Sequence, residues 1–254
     1  MDKSAAGKPD YGTWVPKRFI YIPGAISLLF FGLSLVLCVL VIIAAIFLLI
    51  AIYLFYARYL FSAKGKNIQN QIQDMVLMHL DWDGQGNALD IGCGNGPLAI
   101  KLARKYPEAQ ITGIDYWGKI WEYSKRACEE NAEIEGVAER VRFQKASASA
   151  LPFPDDYFDA VVSNLVFHDV HDTRDKREVI REALRVVKKG GRFSFQDVFL
   201  FRRIYGETDD LLLAIKSWGV TRVEFVKTED APFIPKVLRL PFMTGGLGIL
   251  HGEK

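Results

Sequence analysis

The pattern of apolar and polar positions divides the chain in two. From Phe19 to Ala57 no charged residue occurs in 39 positions, whereas a helix that crosses a bilayer needs only about 20. One straight helix of that length would extend about 58 Å, nearly twice a hydrocarbon core of roughly 30 Å. The run must therefore bend or turn back, and Gly32 and Ser34 are the turn-tolerant residues near its middle. Lys17 and Arg18 precede it, and Arg58, Lys64 and Lys66 follow it. The positive-inside rule then places both ends in the cytoplasm. A helical hairpin within residues 19–61 satisfies both facts. The alternative is one span from about Leu35 to Tyr56, preceded by an interfacial segment holding Phe19, Tyr21, Phe30 and Phe31. "LFSAKGK" is not a small-residue cleavage site, so the segment is expected to stay attached as an anchor over residues 1–64.

Beyond it, over residues 65–254, strand and helix signals alternate, which predicts a mostly parallel sheet with helices on its faces. Ile68, Ile72, Met75, Val76 and His79 fall on one helical stripe. Strands are predicted at "ALDIG", "QITGID", "RVRFQKA", "FDAVVSN", "RFSFQDV", "VTRVEFVKT" and "GLGILHG". Between them a helix begins at Pro97, a residue suited to a first helical turn. A second carries Ile120, Ala127 and Ile134, flanked by Trp121 and Cys128, as far as Gly136. A third runs from about Thr173 to Lys188, with "KKGG" as its basic last turn and glycine stop, and a fourth lies around "DDLLLAIKSWG".

Composition narrows the function classes. The 254 residues hold 32 basic and 30 acidic side chains, with no dense basic field, so nucleic acid is not expected as a partner. Cys38, Cys93 and Cys128 form neither a disulfide framework nor a metal-ligand spacing, which suggests a reducing compartment. His168, Asp169 and His171 lie close in sequence without a further Cys or His to complete a metal set, and no metal is expected.

The glycine-rich turn carries the chemistry. "ALDIGCGNGP" places Gly92, Gly94 and Gly96 between a buried strand and a helix, where bare N–H groups and the positive helix end can meet an anionic group. The spacing is G-x-G-x-G rather than the G-x-G-x-x-G of dinucleotide sites, and no Gly-Lys-Ser/Thr of a phosphate loop follows. Asp115 ends the next strand, where it is placed to accept both hydroxyls of a ribose, and Asp90 could order the turn or meet an ammonium. The plainer roles are an ordinary turn for the glycines, a helix cap for Asp115 and packing for Tyr116 and Trp117.

With "ITGIDYW", "SALPFPDDYFDAVVSNLVFHDV" and "REALRVVKKGGRFSFQDV" following in order, the chain from about Lys66 onward resembles the class I S-adenosylmethionine-dependent methyltransferases, in particular the group containing the ubiquinone and menaquinone biosynthesis enzymes. The resemblance implies a Rossmann-like α/β fold with a seven-stranded, mostly parallel sheet whose last strand is antiparallel. It also implies Gly92, Gly94 and Gly96 against the methionine part of S-adenosylmethionine, Asp115 on the ribose, Tyr116 along the adenine, and Asn164 on the methyl-transfer side. Where the family often has an acid near the adenine amino group, this chain has Ser147, followed by Ala148. A hydroxyl can still hydrogen-bond there.

Methyl transfer from a sulfonium needs alignment more than reactive side chains. Should the acceptor carry a proton, His168 in "NLVFHDVHD" is the candidate base, with a hydrogen-bonded loop histidine as its plainer role. "APFIPKVLRLPFMTGG" interleaves Phe233, Ile234, Val237, Leu238, Leu240, Phe242 and Met243 with Lys236 and Arg239, and either rests on anionic headgroups, caps a lipophilic pocket or simply packs between strands. The expected protein is a membrane-bound methyltransferase with its catalytic domain on the cytoplasmic side. Its expected acceptor is a small lipophilic molecule such as a quinone precursor, a lipid headgroup or an apolar thiol. The rival readings are a cofactor-binding scaffold without catalysis, a nicotinamide-dependent oxidoreductase, and a nucleic-acid or protein methyltransferase. The oligomeric state is not legible.

Overall fold

The computed structural model describes residues 7–118 and 122–254. Two compact units emerge, one formed by residues through Tyr11 together with Ile72–Lys254, the other by Gly12–Gln71.

The smaller unit contains α1 (Arg18–Leu33) and α2 (Leu40–Phe61), joined by a turn over residues 34–39 that begins at the predicted Ser34. Apolar side chains cover both helices, and their contact is made by small and flat groups. Ser27 Oγ donates to the carbonyl of Ala44 at 2.8 Å, and the rings of Phe30 and Phe47 stack with centroids 6.5 Å apart. The outward positions stay apolar, with Leu28 75% and Leu49 67% exposed. At the base, Arg58 donates to Thr13 Oγ1 at 2.6 Å and to the carbonyl of Val15. The 22 residues of α2 are long and apolar enough to cross a membrane, whereas α1 is apolar but has 16, fewer than the roughly 20 of a straight crossing.

The larger unit follows α3 (Ile68–Met78) and is built on a sheet of β1 (Asn87–Ile91), β2 (Gln110–Asp115), β3 (Val141–Lys145), β4 (Phe158–Asn164), β5 (Val187–Asp197), β6 (Arg222–Lys227) and β7 (Gly248–Glu253). The seven strands take the order β3-β2-β1-β4-β5-β7-β6. All neighbours pair in parallel except β7, which runs antiparallel to β5 and to β6. Helices α4 (Pro97–Lys105), α5 (Lys125–Ile134), α6 (Lys176–Arg185), α7 (Arg202–Tyr205) and α8 (Thr208–Ser217) connect the strands. Leu89, Ile91, Val161 and Val162 are fully buried, as continuous apolar runs in a covered parallel sheet require. Successive connections from β1 run outward to β2 and β3, then cross back to β4. The resulting switch point, between β1 and β4, opens a crevice at the carboxyl ends of the strands.

Two expectations are corrected. The third predicted helix ends at Arg185 rather than near Lys188, because the buried Val187 already pairs with Phe158 at the start of β5. "KKGG" is therefore a bulge inside the strand, the register moving from Phe158↔Val187 to Ala160↔Arg192. The second predicted helix starts only at Lys125, where Ser124 caps it by accepting from the amide of Ala127 at 3.2 Å. Ile120 and Trp121 lie outside the described residues.

Candidate active site

The residues singled out in the sequence converge on one edge. Gly92 to Gly96 follow β1, Asp115 and Tyr116 close β2, Ser147 and Ala148 follow β3, and Asn164 and His168 follow β4. All are carboxyl ends of parallel strands, the edge where open α/β sheets bind ligands. An open groove lined by Asp74, Leu77, Met78, Lys101, Arg104 and Lys105 belongs instead to α3 and α4 and contains none of them.

The turn needs its glycines. Gly92, Gly94 and Gly96 have φ of +72°, +57° and +82°, a region that side chains with a Cβ disfavour. A Cβ on Gly92 would also come within 2.0 Å of Val166 Cγ2. Four of the turn's amides, however, are already engaged within the fold. Those of Gly92 and Cys93 donate to the carbonyl of Ile114 at 2.8 and 2.9 Å, and that of Gly96 to the carbonyl of Cys93 at 2.7 Å. The amide of Gly94 donates to Asp115 Oδ2 at 2.9 Å. The expectation of bare N–H groups is thereby corrected. Backbone donors left inside a fold seek partners, and the absence of a Cβ at the three glycines lets Val166, Tyr123 and Phe143 close onto the backbone of the turn.

The positive end of α4 is met by Asp90, whose Oδ2 accepts from the amide of Ala99 at 2.9 Å. Burial pushes this carboxyl up to about 8, the Ala99 hydrogen bond opposing and the charge of Asp115 adding to the rise. Asp115 is also raised, by burial first, against hydrogen bonds from the amides of Trp117, Gly94 and Tyr116. Its Oδ1 accepts from the Trp117 amide at 2.6 Å, and Trp117 Nε1 returns a bond to the carbonyl of Gly94 at 2.8 Å. Three amides on a carboxylate with about four acceptor positions leave room for a hydroxyl donor.

Tyr116 is 65% exposed, with Lys145 Nζ 4.8 Å from its ring centroid. Ala148 is buried. The hydroxyls of Ser147 and Ser149 both donate to Asp172 Oδ2, at 2.7 and 2.6 Å, so the carboxylate missing at position 147 is supplied beside it from the loop after β4. Asn164 Oδ1 is buried without a hydrogen-bond partner among the described residues. Leu165 next to it has φ +59°, a strained conformation of the kind that clusters at functional sites.

His168 occupies a 3-10 turn, Phe167–Asp169. Its Nδ1 lies 2.6 Å from Asp197 Oδ1 at the end of β5. Asp197 is fully buried and also accepts from the amides of Phe167 and Val198, at 2.8 and 2.7 Å. Burial works to lower the imidazole, but the charge of and hydrogen bond to Asp197, with Asp169 assisting, leave it above its ordinary 6.5. Its side chain remains 30% exposed. Sequence reasoning missed Asp197, and the available signal was an acid closing the otherwise apolar strand "RFSFQDV". His171 instead lies 3.6 Å from Asp169 and is exposed. Among the described residues no group of three or more His, Cys, Asp or Glu side chains is arranged to hold a metal.

Asp90 generates a stability prediction. A carboxyl raised from 3.8 to about 8 on folding stabilises the fold fully below the lower value, and that contribution is lost as pH rises through the upper one. Asp90→Asn keeps an acceptor for Ala99 and removes the titration. Thermal unfolding of both proteins between pH 4 and 8 is expected to show a flatter profile for the variant, whereas parallel profiles would contradict the assignment.

Comparison with known proteins agrees with this geometry. Residues 89–195 match the family described as "Methyltransferase domain". The 27-O-demethylrifamycin SV methyltransferase of Amycolatopsis mediterranei is 38% identical over 139 residues, 55% of this chain and 48% of that one. The ubiquinone/menaquinone biosynthesis C-methyltransferase UbiE of Geotalea daltonii is 31% identical over 126 residues, 47% of this chain and 51% of that one. The chain thus spans about half the length of these curated relatives. The fold is shared with geranyl diphosphate C-methyltransferase from Streptomyces coelicolor, solved with S-adenosyl-L-homocysteine (TM-score 0.58, 14% identity, 75% of this chain and 81% of that one). The family match identifies residues 89–195 as a methyltransferase domain that takes S-adenosylmethionine as its cofactor, set in a unit with the class I methyltransferase fold.

Proposed function

We propose that this protein is a bilayer-anchored methyltransferase that alkylates a small lipophilic acceptor, such as a quinone precursor, a polar lipid headgroup or an apolar thiol. The observation that carries this reading is an exposed apolar helix pair in the same chain as a methyltransferase domain. Leu28, Val36 and Leu49 on this pair are 75%, 92% and 67% exposed, a surface that water does not favour and lipid does. An enzyme held at a bilayer meets acceptors dissolved in it. The relatives whose names mention ubiquinone and menaquinone biosynthesis support a quinone-like acceptor.

In this reading Asp115 accepts the ribose hydroxyls, and the turn through Gly92, Gly94 and Gly96 lies against the methionine part. Tyr116, Ser147 and Ala148 line the adenine side, Ser147 acting through the Asp172 carboxylate that it holds. Asp90 fixes the turn through α4. Asn164 brings its unpartnered oxygen to the methyl-transfer side. The cofactor supplies an electrophilic methyl group on a cationic sulfur, and the protein supplies alignment and a drier surrounding. His168 takes a proton from an acceptor hydroxyl, thiol or amine at Nε2, while Nδ1–H donates to Asp197 and is held in that tautomer.

The segment between β6 and β7, residues 228–247, lies at the same sheet edge, because β6 runs parallel to β5. Ile234 and Leu238 are buried in it and Phe242 is 69% exposed. Arg239 donates to the carbonyls of Ile234 and Ala231 at 3.2 and 3.3 Å, so it shapes the segment from within. We assign this segment to the wall of the acceptor pocket.

The anchor is read as a hairpin whose ends share the cytoplasmic side. The chain leaves the larger unit after Tyr11 and rejoins it at Ile72, so any crossing of a bilayer must be paired. At about 24 Å, α1 spans a roughly 30 Å core only with local thinning.

Three experiments test the proposal. Purified protein incubated with membranes and methyl-labelled cofactor is expected to place label in the organic-solvent fraction; label confined to protein or nucleic acid, or no transfer at all, would refute it. In sealed vesicles, tags at both termini should become protease-sensitive from one side together, and the exposed Cys38 should react with impermeant maleimide from the other. Opposite-sided tags would dismiss the hairpin. For a proton-bearing acceptor, kcat/KM should rise as pH passes upward through the raised pKa of His168. Asp197→Asn should move that limb to lower pH and reduce its plateau by about 100-fold or more, while a pH profile unaltered in His168→Ala removes the base.

A further inference from the structure

One well-ordered contact remains outside the reading above, at the other end of the glycine turn. Residues 7–11 fold with the methyltransferase unit although the segment Gly12–Gln71, which contains the apolar hairpin, separates them from the rest of it. The amide of Asp10 donates to Asn131 Oδ1 at 2.8 Å. The carbonyl of Asp10 accepts from Asn131 Nδ2 at 3.0 Å and from Asn95 Nδ2 at 3.1 Å. Tyr11 reaches Glu135 Oε1 through its hydroxyl at 3.1 Å and packs its ring against the core that includes Cys93, Leu98 and Cys128.

The two asparagines are joined to each other and to the turn. Asn131 Nδ2 also donates to the carbonyl of Asn95 at 3.0 Å, and Asn95 Oδ1 accepts from the amide of Ser124, the cap of α5, at 3.0 Å. Asn95 and Asn131 are 4% and 3% exposed. Two side-chain amides that far from water lose their hydrogen bonds at full desolvation cost when a partner is removed. The backbone of Asp10 therefore occupies a position that α5 and the glycine turn cannot fill alone, and Asn95 sits between Gly94 and Gly96.

We propose that residues 8–11 are a latch on the cofactor loop, with Asn131 as the positioning residue through which the latch acts. The latch rests on the reading of residues 92–96 as the cofactor site. It gives that site a dependence on a segment that precedes Gly12–Gln71 in the chain. The bonds to Asn95 and Asn131 run through the backbone of Asp10, whereas Tyr11 contributes its side chain.

The test is a double-mutant cycle in the full chain, reconstituted in lipid, with S-adenosylhomocysteine as the probe in calorimetry. Deletion of residues 1–10 and the substitution Asn131→Leu are each expected to weaken binding by about tenfold, the worth of one or two hydrogen bonds. The two together should weaken binding by clearly less than the product of the separate effects, because both remove the two Asp10–Asn131 bonds. Asp10→Pro, which removes one N–H and leaves the chain length intact, should give an intermediate loss and serves if the deletion does not fold. Thermal midpoints without ligand separate lost folding from lost affinity. A deletion that changes binding less than twofold, or effects that multiply, would overturn the latch. Failure of the unaltered protein to bind S-adenosylhomocysteine would instead refute the cofactor reading beneath it.

Discussion

The Asp115 carboxylate, shared between the amides of Gly94 and Trp117, fixes the shape of everything around it. One oxygen holds the glycine turn and the other holds the chain leaving β2, so two loops from adjacent strands are set by a single buried group. Trp117 closes the circuit by returning its indole N–H to the carbonyl of Gly94. Without that carboxylate, two backbone donors would be left in a site where water is scarce, a cost of about 1–3 kcal/mol each. The three glycines are permissive residues, and it is this anchored geometry that selects one of their many conformations.

The same logic recurs across the sheet. At β4 and β5 a second buried acid, Asp197, collects the amides of Phe167 and Val198 and fixes the imidazole of His168. At β3 an exposed acid, Asp172, draws in the hydroxyls of Ser147 and Ser149. Each loop at the carboxyl edge is thus referred to a carboxylate rather than to the strands alone. Acceptor chemistry can vary on such a frame through the segment after β6 while the cofactor side stays fixed.

Most of the sheet was legible because buried parallel strands write themselves as short apolar runs bounded by turn residues. "QITGID" and "FDAVVSN" coincide with β2 and β4 residue for residue. Legibility failed where a long-range pairing outvoted a local signal. Val187 reads as a helix end, yet Phe158 claims it for β5, and "KKGG" becomes a bulge. The glycine turn could be located from its spacing, but the direction of its amides depends on Ile114, 22 positions beyond Gly92. Asp197 and Asp10 act through partners 29 and 121 residues away, and no window on the sequence displays such a distance. In the apolar segment, composition located the division near Ser34 because a helix must stop somewhere in 39 uncharged positions.

The discontinuity of the larger unit sets an order of assembly. During synthesis the stretch ending at Tyr11 leaves the ribosome first, followed by α1 and α2, and it must wait for α5 before Asn131 exists to receive it. Closure of Asp10 onto Asn95 and Asn131 is consequently a late event, and until it happens two side-chain amides beside the glycine turn wait for their partners.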